Sequence, residues 1–267
     1  MAPETGTEPP LIMLDGGGSD LAPAYAALGD HRRVFRQELP GAGQTDAGSD
    51  DATDRDLARM TLGALDETEF QTFALLGAST GGTEAIRQVL ARLPADAPGV
   101  VIAQHIPRAF SAQFAARMDA CSALSVQEAQ DGALIQRGRA FIAPGDRHLI
   151  VQRDGAHYRC RLLDAPPVNR HRPSVDVLFE SMAQQVAANA VGVLLTGMGV
   201  DGARGLQQLR ARGGHTIAQD EPSSVVWGMP GAAVALGAVE RILPLEQIAA
   251  ALTSGRDTIG GRQAAGS

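Results

Sequence analysis

The sequence contains no lysine, and all 23 of its basic residues are arginine. Lysine forms Schiff bases, binds the phosphates in P-loop proteins and pairs with ATP in protein kinases. The absence of lysine therefore excludes these three classes of enzyme.

Cysteine is scarce, and long apolar runs are absent. Cys121 and Cys160 form no CxxC pair, so neither a disulfide framework nor a zinc cluster is indicated, and we expect both to be buried as small apolar side chains. No run of about 18 apolar residues could span a bilayer. Residues 1–8 are acidic, whereas a signal peptide begins basic and then turns apolar. We therefore predict a cytoplasmic globular protein without direct membrane insertion.

Positive charge is scarce at the front of the chain. Residues 1–70 hold 14 acids and 5 arginines, which leaves 16 acids and 18 arginines for residues 71–267. Neither part has the basic excess that nucleic-acid binding requires, so we expect no nucleic-acid partner. Residues 40–54 are rich in Gly, Ala, Thr, Ser and Asp, which is typical of a solvated linker. We therefore divide the chain into residues 1–56, a partial N-terminal segment with an acidic linker, and residues 57–267, the main domain.

The main domain alternates short apolar runs with segments of helical periodicity. Buried strands are predicted at residues 73–77, 99–105, 190–196, 214–219 and 239–243, and helices at 83–93, 110–118, 175–188, 203–212 and 245–252. This alternation predicts an α/β fold with a doubly wound, mainly parallel sheet and helices on both faces. Residues 148–153 and 157–163, joined at Asp154-Gly155, predict one antiparallel hairpin.

The front of the chain holds a weaker pattern of the same kind. Strands are predicted at residues 10–15 and 33–37, and helices at 21–28 and 57–70. This is at most half a domain.

The segment Gly77-Ala-Ser79-Thr-Gly81 follows the first strand of the main domain and opens a helix. Flanking glycines allow a sharp strand-to-helix turn that lifts the serine hydroxyl above the strand end, as in a nucleophile elbow. The helix N-terminus leaves N–H groups free to stabilise an oxyanion. A structural or phosphate-binding turn is the alternative explanation of the glycines.

Three residue types that suit ester cleavage follow three different predicted strands: Ser79, His105 and Asp201. In an open parallel sheet, residues beyond the carboxyl ends of the strands converge in one crevice. A hydroxyl can attack the carbonyl, an imidazole can take and return its proton, and a carboxylate can orient the imidazole. A single aspartate at a helix start is often only an N-cap. The prediction therefore rests on the position that all three residues share, after a strand.

His171 competes with His105 for the role of base. It lies between Arg170 and Arg172 in a polar loop that is either substrate-facing or simply solvated. No His, Cys and carboxylate cluster has the spacing of a metal site, and we expect neither a metal nor a cofactor.

Several longer motifs resemble the catalytic domain of the chemotaxis protein-glutamate methylesterases, the CheB family. The motifs occur in the same order over residues 71–253: GASTGGTEAI at 77–86, QHIP at 104–107, APGD at 143–146, PPVNRHRPSVD at 166–176, LTGMG at 195–199 followed by Asp201-Gly202, and GMP at 228–230.

The resemblance implies hydrolysis of glutamate methyl esters on the cytoplasmic helices of chemoreceptors, often with glutamine deamidation, and without a cofactor. Carried over by position, Ser79 is the nucleophile, His105 the base and Asp201 its orienting carboxylate. Thr80 and Met198 match residues that line the site, and we expect their N–H groups to form the oxyanion hole. Arg170 and His171 are the further substrate-lining candidates.

The front of the chain departs from the family pattern. Family members usually carry a complete N-terminal receiver domain, whereas about 70 residues are too few for one and the required lysine is missing. Residues 10–37 are only slightly similar to a receiver remnant. Val200 stands where many members have a polar residue.

Two other classes of function remain open from the sequence. A nucleotide-binding α/β protein could use residues 77–82 as a phosphate cradle, although the GxGxxG spacing is absent. A non-catalytic receptor-binding module would leave the set Ser79, His105 and Asp201 unexplained.

Overall fold

The structure, a computed structural model, describes residues 11–15, 34–38 and 73–253. The chain divides into two compact units, Met1–Asp66 and Glu67–Ser267. In the first unit, strands β1 (Leu11–Asp15) and β2 (Val34–Glu38) pair in parallel, which confirms the two strands predicted there.

Some of the predicted elements lie outside the described residues. These are the helices at 21–28 and 57–70 and the linker at 40–54.

A seven-stranded sheet forms the centre of the second unit. Its order is β12-β11-β10-β3-β4-β7-β5, and every neighbouring pair is parallel. The strands are β3 (Phe73–Ala78), β4 (Gly99–Gln104), β5 (Ser125–Glu128), β7 (Arg139–Ile142), β10 (Ala190–Leu194), β11 (His215–Gln219) and β12 (Arg241–Leu243). The three central strands are buried along their whole length, because a parallel sheet is covered on both faces.

Six α-helices and one short 3₁₀-helix complete the described part of this unit. They are α1 (Gly82–Leu90), α2 (Arg108–Asp119), α3 (Val175–Gln185), the 3₁₀-helix (Ala187–Asn189), α4 (Ala203–Ala211), α5 (Gly228–Ala235) and α6 (Leu245–Thr253). None of the helices within the described ranges is long and apolar enough to cross a bilayer.

Two hydrophobic cores lie on the two faces of the sheet. Successive residues of β3 alternate between them: Leu76 packs in one core and Leu75 in the other, as the two-residue period of a strand requires. The first core receives side chains from α1, α2 and α6, and the second receives them from α3, α4 and α5. The predicted fold, a doubly wound parallel sheet with helices on both faces, is confirmed.

The predicted antiparallel hairpin is also confirmed. Strands β8 (His148–Asp154) and β9 (His157–Leu163) pair in register, and a short strand, β6 (Leu134–Ile135), adds to β9. Cys160 of β9 is buried in the second core, as expected, whereas Cys121 is only partly buried.

Helix α5 was not predicted, because its sequence begins with glycine and has proline at the third position. Proline is tolerated in the first turn, where its missing N–H has no partner within the helix.

The order of the strands reverses at β3. The chain leaves β3 through α1 to β4 on one side, while β10 lies against the other side and continues through α4 to β11. Such a switch point opens a crevice beyond the carboxyl ends of the strands. Residues 79, 105 and 196–201 follow the three strands that border it.

Candidate active site

Ser79 lies immediately after β3, in a turn that glycine makes possible. Gly81 has φ +79°, in the left-handed region, and a Cβ added there would lie 2.7 Å from the Cβ of Val225. The Gly82 N–H donates to the Ser79 carbonyl at 2.8 Å and starts helix α1. Ser79 is therefore a half-buried residue in a glycine-containing turn between a strand and a helix.

Asp201 is 1% exposed and accepts five hydrogen bonds. The donors are His105 Nε2 at 2.8 Å, Asn169 Nδ2, Ser174 Oγ and the Val175 N–H at 2.7 Å each, and the Asp176 N–H at 3.3 Å. Burial alone would raise the pKa of this carboxyl, but the hydrogen bonds lower the pKa to about 2. Asp201 is therefore ionised at neutral pH.

His105 contacts Asp201 through its side chain and lies next to the Ser79 segment through its backbone. The register of β3 and β4 pairs Ala78 with Gln104, and the His105 N–H donates to the Ala78 carbonyl at 3.1 Å, so Ser79 and His105 leave the sheet side by side. Because Asp201 is ionised, the Nε2 atom facing it carries the proton. The buried Nδ1 atom has no partner within the described part of the chain and is left as a proton acceptor.

His171 lies flat against His105. The ring centroids are 3.6 Å apart and the ring planes differ by 8°. Burial and the neighbouring His105 lower the pKa of His171, which favours its neutral form. No hydrogen bond joins His171 to Asp201 among the described residues. The carboxylate therefore binds His105, and His171 only stacks against the His105 ring.

The residues expected to form an oxyanion hole flank Ser79. Within residues 73–253, the N–H groups of Thr80 and Met198 donate to no acceptor. Gly197 precedes Met198, and a side chain at Gly197 would collide with Met229 Sδ and lie 2.8 Å from Ser79 Cβ. The two segments therefore approach each other closely only because Gly197 has no side chain.

Arg170 is exposed, has φ +69°, and makes no ion pair within the described ranges. It lies next to His171 in the loop between β9 and α3. This placement leaves its guanidinium available to solvent or substrate.

Several polar residues that support the site were missed as functional from the sequence. Gln104, Asn169 and Asp176 lie in the quoted motifs but had no assigned role, and Ser174 was predicted only as the cap of α3. Ser174 does cap that helix, and it also donates to Asp201. Asn169 bridges Asp201 and Asp176 through 2.7 Å hydrogen bonds. The available signal for Asn169, Ser174 and Asp176 was their occurrence in one run, NRHRPSVD.

No group of three His, Cys, Asp or Glu side chains within the described ranges could hold a metal ion.

Together, the fold and this site define an α/β protein with serine, histidine and aspartate set at the carboxyl edge of a parallel sheet. The family description "CheB methylesterase" matches residues 74–252. The chain belongs to the CheB methylesterase family.

Relatives and a solved structure agree with this assignment. Over 196 residues the chain is 54% identical to protein-glutamate methylesterase/protein-glutamine glutaminase 2 of Xanthomonas oryzae pv. oryzae, covering 73% of this chain and 55% of that relative. It is 62% identical over 177 residues to protein-glutamate methylesterase/protein-glutamine glutaminase 1 of Hahella chejuensis, covering 66% and 49%. The Thermotoga maritima CheB methylesterase catalytic domain is similar in structure, with a TM-score of 0.66 and 34% identity over 68% of this chain and 96% of that domain. The chain spans about half the length of the curated relatives it matches.

Proposed function

We propose that the protein hydrolyses glutamate methyl esters on chemoreceptor-type proteins, with Ser79 as nucleophile, His105 as base and Asp201 as its orienting carboxylate. The observation that carries the proposal is the 2.8 Å contact of His105 Nε2 with the ionised Asp201, which leaves Nδ1 as a proton acceptor on a residue whose N–H binds the carbonyl of Ala78, next to Ser79.

The geometry supports a two-step acyl transfer. Ser79 Oγ attacks the ester carbonyl while its proton passes to His105 Nδ1, and the Thr80 and Met198 N–H groups stabilise the oxyanion. Collapse breaks the bond to the methoxy oxygen, which takes the proton from His105 and leaves as methanol. Water then attacks the glutamyl ester of Ser79 with His105 again as base, and glutamate and free Ser79 are restored.

The surroundings of Ser79 favour a macromolecular substrate. Four large apolar side chains are exposed beyond the ends of β4, β10 and β11: Phe110 in the first turn of α2, and Met198, Val200 and Val225 in the loops after β10 and β11, which are 56%, 68%, 61% and 70% exposed. Exposed apolar groups that surround a functional site are typical of protein contacts. They support methylated chemoreceptor helices as the partner, in a reaction that we expect in the cytoplasm.

Glutamine deamidation is a second candidate activity. The relatives are also named protein-glutamine glutaminases. The same steps apply to a side-chain amide, except that ammonia leaves in place of methanol.

The nucleotide-binding alternative is disfavoured by the turn itself. Two of its N–H groups are already used: Ser79 donates to the Thr196 carbonyl and Gly82 to the Ser79 carbonyl. A phosphate cradle needs such groups free.

Methanol release from a methylated chemoreceptor fragment tests the proposal. We expect release by the wild type and a loss of several orders of magnitude in Ser79→Ala, because triad members act as a unit. Circular dichroism should show an unchanged fold. A correctly folded Ser79→Ala that retains near wild-type turnover would exclude the serine mechanism.

A further inference from the structure

The peptide groups around Ser79 are held by two buried polar side chains from the strand ends on either side of β3. Gln104 ends β4 and is 2% exposed, and Thr196 follows β10 and is 1% exposed. Buried polar side chains carry a desolvation cost that hydrogen bonds must offset.

Gln104 joins the nucleophile segment to the base segment. Its Nε2 donates to the Ser79 carbonyl at 3.0 Å and to the His105 carbonyl at 3.1 Å. Its Oε1 is buried without a partner among the described residues. The two donated bonds are therefore the polar contacts that favour glutamine here.

Gln104 binds the peptide group between residues 79 and 80. Thr196 binds the two neighbouring peptide groups, which join residues 78 to 79 and 80 to 81. Its carbonyl accepts from the Ser79 N–H at 3.0 Å, and its Oγ1 donates to the Thr80 carbonyl at 3.0 Å. The same hydroxyl accepts from the Val226 N–H at 2.9 Å. The hydroxyl thus links the turn to the segment that precedes α5.

The direction of the Thr80 N–H follows from these bonds. The Ser79 carbonyl and the Thr80 N–H belong to one planar trans peptide group, so they point in opposite directions. The hydrogen bonds that the Ser79 carbonyl accepts from Gln104 and Gly82 therefore also fix the direction of the Thr80 N–H. Donation to the carbonyl also polarises the peptide group, which strengthens its N–H as a donor.

We propose that Gln104 is a positioning residue, which orients the Ser79–Thr80 peptide group toward the oxyanion and links it to the segment of the base, and that Thr196 fixes the two adjacent peptide groups. This role rests on the proposed function, because an oriented Thr80 N–H matters only if an oxyanion forms at Ser79.

Gln104→Met tests the role, since it keeps the length of the side chain and removes both donors. The readouts are the rate at which a fluorophosphonate labels Ser79, and kcat and KM for p-nitrophenyl acetate. We expect labelling and kcat to fall about 10- to 100-fold, because loss of a whole oxyanion donor costs about 100- to 1,000-fold. KM should change less than twofold, since an oxyanion donor acts in the transition state.

Ser181→Ala is the matched control for lost buried hydrogen bonds. Ser181 Oγ accepts from the Val151 N–H at 3.0 Å and donates to the Leu178 carbonyl at 2.7 Å, where α3 contacts β8. It should lose stability and retain the wild-type labelling rate.

Thr196 supplies an independent pair of variants. Thr196→Val removes the hydroxyl and should slow labelling, whereas Thr196→Ser retains the hydroxyl and should restore the rate. This pair decides the question if Gln104→Met fails to fold.

The outcomes separate this role from the proposed function. A wild type that is not labelled at Ser79 would overturn both. A labelled wild type, with folded Gln104→Met or Thr196→Val labelled within twofold of it, would overturn the positioning role and leave the esterase proposal intact.

Discussion

Asp201 is a charged residue that is almost fully buried. The free-energy cost of burying its carboxylate is offset by the hydrogen-bond donors that face it. Because folding lowers its pKa from 3.8 to about 2, the carboxylate stabilises the fold at every pH above about 4, by roughly 2 kcal/mol. That contribution is lost as the pH falls through about 2.

Asp201→Asn should therefore differ from the wild type most at neutral pH. We expect the difference in the free energy of unfolding to shrink as the pH falls from about 4 to about 2, because wild-type Asp201 becomes protonated there. Urea unfolding at several pH values measures this difference.

Asp176 provides a control of opposite sign. Burial raises the pKa of Asp176, although the Gly205 N–H opposes this. An acid whose pKa is raised by folding binds protons preferentially in the folded state, so stability falls as the pH rises through its titration. The wild type should gain stability relative to Asp176→Asn as the pH falls, and the same trend for both variants would contradict these assignments.

The stacked histidines allow a second prediction for single residues. His105→Ala should lower ester hydrolysis by several orders of magnitude, whereas His171→Ala should lower it about 2- to 10-fold, the value of one aromatic contact. His171→Phe keeps a flat ring against His105 and should recover most of the loss. Steady-state rates at fixed pH measure all three. An inactive His171→Ala beside an active His105→Ala would exchange their roles.

Whether a site residue could be predicted from the sequence depended on its position relative to a strand. Ser79 and His105 come just after predicted strands, and Asp201 lies in the turn after another, so their position at one edge of the sheet could be predicted. Asn169 contacts Asp201 from an irregular loop in which its φ is +51°, and no periodicity in the sequence indicates such a conformation. The stacking of His171 depends on the same loop.

At the scale of elements, the site depends on how closely the turns after β3 and β10 approach each other. Gly197→Ala would push a methyl group against Met229 and Ser79 Cβ. We expect activity to fall about 100-fold, since a displacement of about 1 Å in a catalytic geometry costs that much. Overpacking should also lower the free energy of unfolding by about 1–3 kcal/mol.

Gly192→Ala is the matched control in strand β10. Its methyl group would lie 2.7 Å from Leu206 Cδ1 and 2.8 Å from Leu209 Cδ2, side-chain ends in the second core. It should lose stability without losing esterase rate. Equal rates in the two variants at equal folded fraction would show that the approach of the turns is not critical.

Elements with a long apolar run or a helical hydrophobic period could be predicted, and those with neither could not. The central strands are continuous apolar runs, and α1 repeats its buried residues at helical spacing. Strand β6 has two residues, too few for a period, and is defined by its pairing with β9. Helix α5 is apolar all round and begins with residues that usually break helices.

At the scale of the whole molecule, the chain consists of two compact units with different charge. The first unit, Met1–Asp66, holds 12 acids and 5 arginines and carries a net charge of −7, whereas the second, Glu67–Ser267, holds 18 of each and is neutral. The second unit contains both cores and the complete candidate site. The functional division between residues 56 and 57 stays a prediction from composition.

The last prediction concerns regulation of the esterase by the acidic front. A receiver switches its partner domain when a fixed lysine and hydroxyl sense phosphorylation, and this chain has no lysine. Acetyl phosphate with magnesium should therefore leave the esterase rate unchanged, and deletion of residues 1–56 should change it little.

An electrostatic lid would give a different result. If residues 1–70, with a net charge of −9, cover residues 71–267, with a net charge of +2, the same deletion raises the rate, and added salt reproduces the rise by screening the attraction. Acidic segments of low complexity are more often solvated, so we expect no effect of salt beyond that seen in the deleted form. Esterase rates of both forms at about 0.05 M and 0.5 M salt, with and without phosphodonor, separate the cases. A clear rise with phosphodonor in the full chain alone would show that a receiver-type switch operates without lysine.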